Sequence, residues 1–92
     1  MKMTNDLQIK STLGRMAELL QAGGHPDWGV SLQNLAVLMD DDPARACASI
    51  VGMFGGMGSL NDLVLYRNGM PLRQENQELD DLRSKLFALA RT

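Results

Sequence analysis

The sequence predicts a mainly α-helical protein, a compact bundle of about four helices with a short hairpin or irregular segment near residues 60–73 before the last helix. Three observations lead to this prediction. Apolar residues recur at helical spacing in four segments, and glycine and proline separate these segments. An Asn68–Gly69 pair, which is the strongest short hairpin signal, follows a β-prone run. At 92 residues, the chain is expected to form a single domain over residues 1–92.

The first helix is predicted over residues 5–22. Asn5 and Gln8 have the spacing of a capping box, and Gly23–Gly24 provides the stop signal. Gly14 interrupts the helix at a cost of about 1 kcal/mol relative to alanine, unless a neighbouring helix packs closely there. The positions expected to face the core are Ile9, Leu13, Met16, Ala17 and Leu20.

Two further helices are predicted on either side of an acidic turn. The second covers about residues 26–39 and begins at Pro26, because proline suits the first turn of a helix. The third covers about residues 43–54, with Asp42 as the N-cap before Pro43. The core positions are Trp28, Leu32, Leu35, Ala36 and Met39 in the second helix and Cys47, Ile50, Val51 and Phe54 in the third.

The region before the last helix is less regular. Residues 63–66 are typical of a β-strand that turns at Asn68–Gly69, and Pro71 limits the returning strand to an edge or a stub. A short helix across residues 60–66 is the alternative. The last helix is predicted over about residues 74–90, and its leucine stripe is Leu79, Leu82, Leu86 and Leu89. Since the stripe is only about two heptads long, a face packed on the core is favoured over a homodimer seam.

Composition and charge exclude several classes of function. Nine Lys and Arg against eleven Asp and Glu give a net charge of −2, whereas a nucleic-acid binder needs a basic surplus. The single cysteine, Cys47, cannot form an intrachain disulfide. No secretory signal and no apolar run of membrane-spanning length is visible in the sequence, so we expect a cytoplasmic protein without a membrane partner.

The sequence predicts no catalytic, metal or cofactor site. The glycine cluster at residues 52–58 lacks the lysine and the preceding strand of a phosphate loop. His25 and Asp27 resemble an acid–base pair, but a helix start explains them better. Asp40–Asp42 lacks the alternating ligands of a calcium loop; a solvated turn with an N-cap is favoured, and an acidic patch that steers a basic partner is the alternative. We therefore expect a non-enzymatic protein without a cofactor.

One stretch carries a family resemblance. Residues 55–65, Gly-Gly-Met-Gly-Ser-Leu-Asn-Asp-Leu-Val-Leu, followed by the Asn68–Gly69 turn, resemble the motif of a family of small, mostly helical bacterial proteins, many of them without an assigned function. The match covers about residues 26–90. Some members of that family resemble immunity proteins encoded beside interbacterial toxins of type VI secretion, including NAD-degrading toxins.

The resemblance implies a non-enzymatic immunity protein that binds its cognate toxin and occludes it. The alternative is a small regulatory or structural interaction module with another partner, and a homodimer is one form of it. For the glycine loop itself, the residues favour a helix C-cap and tight turn, and a loop that contacts a partner is the alternative.

Two segments are expected to form the contact surface of an occluding protein, the loop at residues 55–62 and the acidic turn. Aromatic and arginine residues are the usual anchors of such surfaces, and Trp28 is a further anchor if it is exposed. The predicted partner-binding residues are Asp40, Asp41, Asp42, Phe54, Gly55, Gly56, Met57, Gly58, Ser59, Asn61, Asp62, Tyr66 and Arg67.

Overall fold

Four helices and a two-stranded hairpin make up the part of the chain described by the computed structural model, residues 2–54 and 59–91. The predicted fold class is confirmed. The elements are α1 (Lys2–Ala22), α2 (Pro26–Asp41), α3 (Pro43–Gly52), a 3-10 turn (Leu60–Asp62), β1 (Tyr66–Arg67), β2 (Met70–Pro71) and α4 (Arg73–Ala90). Both α1 and α3 pack against α2 and α4. The bundle measures 41 × 24 × 20 Å.

The core is built from aliphatic side chains, and α1 contributes the largest share. All five core positions predicted for α1 are buried. Leu79 and Leu86 of α4 are also buried, so the leucine stripe faces the core as predicted. Leu60 and Leu65 are fully buried as well, which means that the sequence motif at residues 55–65 contributes to the core.

Three predicted helix ends are wrong. Helix α1 begins at Lys2, so the proposed capping box at Asn5 and Gln8 lies inside the helix; no glycine or proline between Lys2 and Asn5 stops it. Helix α2 continues to Asp41, two residues further than predicted. Helix α3 ends at Gly52 instead of residue 54, because the chain tightens into i→i−3 bonds there.

The two glycines after α1 end the helix as predicted. The His25 amide donates to the Leu20 carbonyl at 2.8 Å across Gly24, whose φ is +96°. This is the long bond of a Schellman motif, in which a residue with positive φ follows the helix. No neighbouring helix packs closely on Gly14, because a Cβ at this position would meet nothing within 4 Å. The expected cost of this glycine relative to alanine therefore has no compensating contact.

The junction between α2 and α3 is a single residue. The carboxylate of Asp42 accepts a hydrogen bond from the Arg45 amide at 3.1 Å, and Pro43 occupies the first turn of α3. The predicted N-cap is confirmed.

The region between α3 and α4 contains part of each predicted conformation, the short helix and the hairpin. Leu60–Asp62 forms a single 3-10 turn, whereas the strand predicted over residues 63–66 becomes an extended segment that pairs only from Tyr66 onward. In the hairpin, Tyr66 opposes Pro71 and Arg67 opposes Met70. Asn68 and Gly69 have φ of 53° and 77°, as a two-residue hairpin turn with positive φ at both positions requires.

Candidate functional site

The candidate site consists of the motif segment, defined as residues 59–65, and the hairpin, defined as residues 66–71, which continues from it. The motif segment forms little secondary structure of its own, so its backbone groups need partners elsewhere. Arg83 of α4 supplies several of them. Its Nη1 donates to the carbonyl oxygens of Leu60, Asn61 and Leu63 at 2.9, 3.2 and 3.1 Å, and its Nη2 pairs with Asp80. The guanidinium therefore fixes the turn to α4.

Two other side chains hold the end of the motif segment. The Asn76 carboxamide accepts from the Leu65 amide at 2.7 Å and donates to the Leu65 carbonyl at 3.1 Å, as a neighbouring strand would do. Nε2 of His25 lies 2.7 Å from the Val64 carbonyl oxygen. Because a carbonyl oxygen only accepts, this nitrogen must carry the hydrogen. His25 thus joins the start of α2, where the sequence predicts it, to the motif segment, a contact that the sequence does not predict.

Ser59 and Asn61, two of the predicted partner-binding residues, make contacts within the fold. Ser59 is buried, and its hydroxyl accepts from the Asn61 amide at 3.3 Å. The Asn61 side chain donates to the Phe54 carbonyl at 3.2 Å. Asp62 is exposed at the end of the 3-10 turn.

Of the predicted anchor residues, Tyr66 and Arg67 are exposed. Tyr66 is 48% exposed, and Arg67 is exposed beside it on β1. Trp28 and Phe54 are half-buried and pack against the core. Phe54 lies 5.1 Å from Phe87, measured between ring centroids. Of the four predicted anchors, the two that are exposed are therefore both on the hairpin.

The acidic turn, residues 40–42, and the hairpin lie at opposite ends of α2, because His25 before α2 contacts Val64 next to the hairpin. Asp40 is paired with Lys10 at 2.7 Å, Asp42 caps α3, and Asp41 is exposed in the last turn of α2. The ten residues of α3 separate this turn from Phe54 by about 15 Å. The two predicted contact edges thus lie at opposite ends of one helix. Gly55, Gly56, Met57 and Gly58 lie outside the described residues.

The described helices have open grooves between them, of which two concern the predicted residues. The groove between α3 and α4 has a volume of about 830 Å³ and is lined by Val51, Phe54, Asn61, Asp80, Arg83, Ser84 and Phe87. The arginine that lines it already binds three carbonyl groups, so it has little capacity left for an anionic ligand.

Cys47 lines the second groove, near the start of α1. Burial and the nearby Asp6 carboxylate raise the pKa of its thiol above the ordinary value. A raised pKa lowers the thiolate fraction, so Cys47 is a poor nucleophile.

No three His, Cys, Asp or Glu side chains of residues 2–54 and 59–91 are grouped closely enough to hold a metal ion. Over the same part of the chain, none of the helices combines the length and the apolar character needed to cross a membrane.

Two exposed apolar residues, Val64 and Met70, are not predicted from the sequence. Neither are the residues that hold the motif segment, which are Arg83, Asn76 and His25. The exposure of Met70 could have been predicted from the sequence, because a large side chain next to an Asn-Gly turn is at the tip of a hairpin. The sequence indicates the role of Asn76 only weakly, through the presence in a predicted helix of asparagine, which favours a helix less than most residues do. Nothing in the sequence indicates the role of Arg83, because its three acceptors lie 20 to 23 residues away in the chain.

Comparison with known proteins identifies a family but no characterised relative. No curated protein and no solved structure matches the chain. A family model described as a domain of unknown function (DUF6966) matches residues 21–73, which is more than half of the chain. The matched region begins at the end of α1 and contains α2, α3, the motif segment and the hairpin. The chain therefore belongs to this family, the domain of unknown function DUF6966.

Proposed function

We propose that this protein is a cytoplasmic bacterial immunity protein that binds a toxin of type VI secretion, such as an NAD-degrading one, and neutralises it without chemistry of its own. The observation that carries the proposal is the exposed hairpin, in which Tyr66, Arg67 and Met70 project from a backbone that is anchored next to the end of α1. Tyrosine and arginine are enriched among the residues that dominate binding energy.

The mechanism is occlusion of the toxin's active site. The hairpin backbone is held on one side by the bond from the Tyr66 amide to the Gly23 carbonyl at 3.0 Å. The bond from the Leu72 amide to the Leu65 carbonyl, also at 3.0 Å, closes the base of the hairpin. A loop that is ordered before binding loses little conformational entropy in the complex. Tight inhibition is therefore compatible with an interface of about 800 Å² on each partner.

A protection assay tests the proposal. The secreted effector encoded beside the gene for this chain is produced in a susceptible bacterium, with or without this protein, and survival and cellular NAD are measured. We expect wild type to restore survival and, for an NAD-degrading effector, the NAD level. Tyr66→Ala and Arg67→Glu should lose protection, because they remove the anchor side chains.

Val37→Ala is the matched control. Val37 is also an exposed apolar residue, but it lies on α2, about 16 Å along the helix from Pro26 at the hairpin end. The proposal fails if no toxin gene neighbours this one, or if wild type gives no protection. A housekeeping protein recovered with the chain in affinity capture would then favour a regulatory or structural module instead.

A further inference from the structure

The stretch from Leu63 to Gln74, which contains the hairpin and the first residues of α4, is basic although the whole chain is acidic. The whole sequence has a net charge of −2, but between Leu63 and Gln74 the charged residues are Arg67 and Arg73. Both are exposed. The nearest acidic residues along the chain lie outside this stretch. They are Asp62, at the end of the 3-10 turn, and Glu75, half-buried in the first turn of α4.

Arg73 occupies a position that helix stability does not explain. It is the first residue of α4, and the positive end of the helix dipole disfavours a cation there. The neighbouring Glu75 has the charge that the dipole favours. An arginine at this position therefore costs some helix stability, which suggests that the side chain has another role.

The two basic residues lie beside exposed apolar ones. Arg67 opposes Met70 across the hairpin, and Tyr66 opposes Pro71. Because side chains of opposed residues lie on the same face of a strand pair, Arg67 and Met70 occupy one face and Tyr66 and Pro71 the other. Met70 is 67% exposed, and Val64, just before the hairpin, is 40% exposed. Both faces of the hairpin thus offer apolar surface.

We infer that the hairpin inserts into an apolar cleft of a partner protein whose rim carries acidic side chains. This inference rests on the proposed function and specifies the surface of the toxin that is recognised. Insertion lets both faces of the hairpin contact the cleft, while Arg67 and Arg73 pair with carboxylates at the rim. Charge complementarity of this kind raises the rate of association. The acidic turn suits the contact less well, because Asp40 and Asp42 already bind groups of this chain.

Peptide selection tests the hairpin without using the toxin. A phage-displayed library of short random peptides is selected on the wild-type protein and, in parallel, on the R67E/R73E variant. We expect wild type to enrich peptides that combine acidic with aromatic or aliphatic residues. The affinity of the selected peptides should fall at least tenfold, about 1.4 kcal/mol, in R67E, R73E, Tyr66→Ala and Met70→Ala. Val37→Ala is the control and should bind as wild type does.

The thermal stability of R73E separates binding from folding. Because glutamate suits the first turn of a helix better than arginine does, R73E should melt no lower than wild type while it loses peptide affinity. Basic or neutral peptides, peptides that bind R67E/R73E equally well, or no enrichment at all would overturn the inference. Hairpin-dependent binding to vesicles of anionic phospholipid, or a hairpin-dependent dimer in analytical ultracentrifugation, would also overturn it.

The protection assay and the peptide selection can fail independently. If acidic, apolar peptides require the hairpin but the protein protects against no toxin, the chemistry of the docking surface stands and the immunity function falls. If the protein protects but R67E and R73E protect equally well, the immunity function stands and this docking surface is wrong.

Discussion

Gly14 and Gly23 show how the same residue type can have opposite roles nine residues apart, near the middle and just after the end of α1. A Cβ at Gly23 would lie 2.6 Å from Cδ2 and 2.7 Å from Cβ of Leu65. Since Leu65 is fully buried, its side chain has little room to move. The close approach of the motif segment to α1 therefore requires glycine at residue 23.

We predict that Gly23→Ala lowers the free energy of unfolding by about 1–3 kcal/mol, the usual range for added bulk in a packed core. Urea denaturation monitored by circular dichroism measures the change. Amide exchange should also become faster at Leu65 and Tyr66, because the added methyl group pushes the motif segment away from α1.

Gly14→Ala is the matched control and should have the opposite effect. Open space surrounds its Cβ position, so alanine should stabilise α1 by about 0.5–1 kcal/mol through its higher helix propensity. If both variants were destabilised equally, the proposed packing of Leu65 against Gly23 would be incorrect.

At the scale of elements, the motif segment depends on α4 more than on its own conformation. Arg83 brings one positive charge to three carbonyl groups, and its side chain is only 11% exposed. Hydrogen bonds to a charged group contribute more than those between neutral groups. A short 3-10 turn such as Leu60–Asp62 lacks the repeated internal bonds of a longer helix, so its position is set mainly by these contacts.

We predict that Arg83→Ala reduces the free energy of unfolding by about 2–3 kcal/mol, because it removes charged hydrogen bonds and leaves partly buried carbonyl groups without their donor. Arg83→Lys should recover only part of this loss, since a single ammonium group cannot reproduce the geometry of a guanidinium. Chemical denaturation gives the stability of both variants.

Lys85→Ala is the control for Arg83, because Lys85 is an exposed cation on the same helix. Its removal should change stability by less than about 0.5 kcal/mol. A similar loss in Lys85→Ala and Arg83→Ala would mean that the charge of α4, and not the contact with the motif segment, is responsible.

The elements differ in how far the sequence predicts them. Helical periodicity identified the core face of α1, and Asn68–Gly69 located the turn, since both signals are local. The sequence leaves residues 60–66 open between a strand that begins at residue 63 and a short helix, because their conformation depends on Arg83, Asn76 and His25, which lie outside this segment. The site was predicted in part for the same reason. Tyr66 and Arg67 lie next to a turn that the sequence reveals, whereas the buried position of Ser59 depends on the packing of the whole bundle.

At the scale of the whole molecule, one ion pair joins the first helix to the last. Arg15 of α1 contacts Glu78 of α4 through Nε and Nη2, at 2.6 and 2.9 Å, and it also contacts Glu18 on its own helix. The hydrogen bonds from Arg15 hold the pKa of Glu78 below its ordinary value. The pair is partly exposed to solvent, so its effect on stability should be modest and should decrease as salt is added.

The lowered pKa of Glu78 predicts how global stability changes with pH. A carboxyl group whose pKa is lower in the folded state stabilises the fold above its unfolded pKa, about 4.3 for glutamate, and that contribution is lost as the pH falls through the folded value. Wild type should therefore be more stable than Glu78→Gln at pH 7, and the difference should shrink as the pH drops below about 4. Urea denaturation across this pH range measures the difference.

Glu18→Gln is the control, because Glu18 contacts the same arginine without joining two helices, and it should show a smaller difference. A gap between wild type and Glu78→Gln that stays constant with pH would show that Arg15 and Glu78 are not coupled in solution.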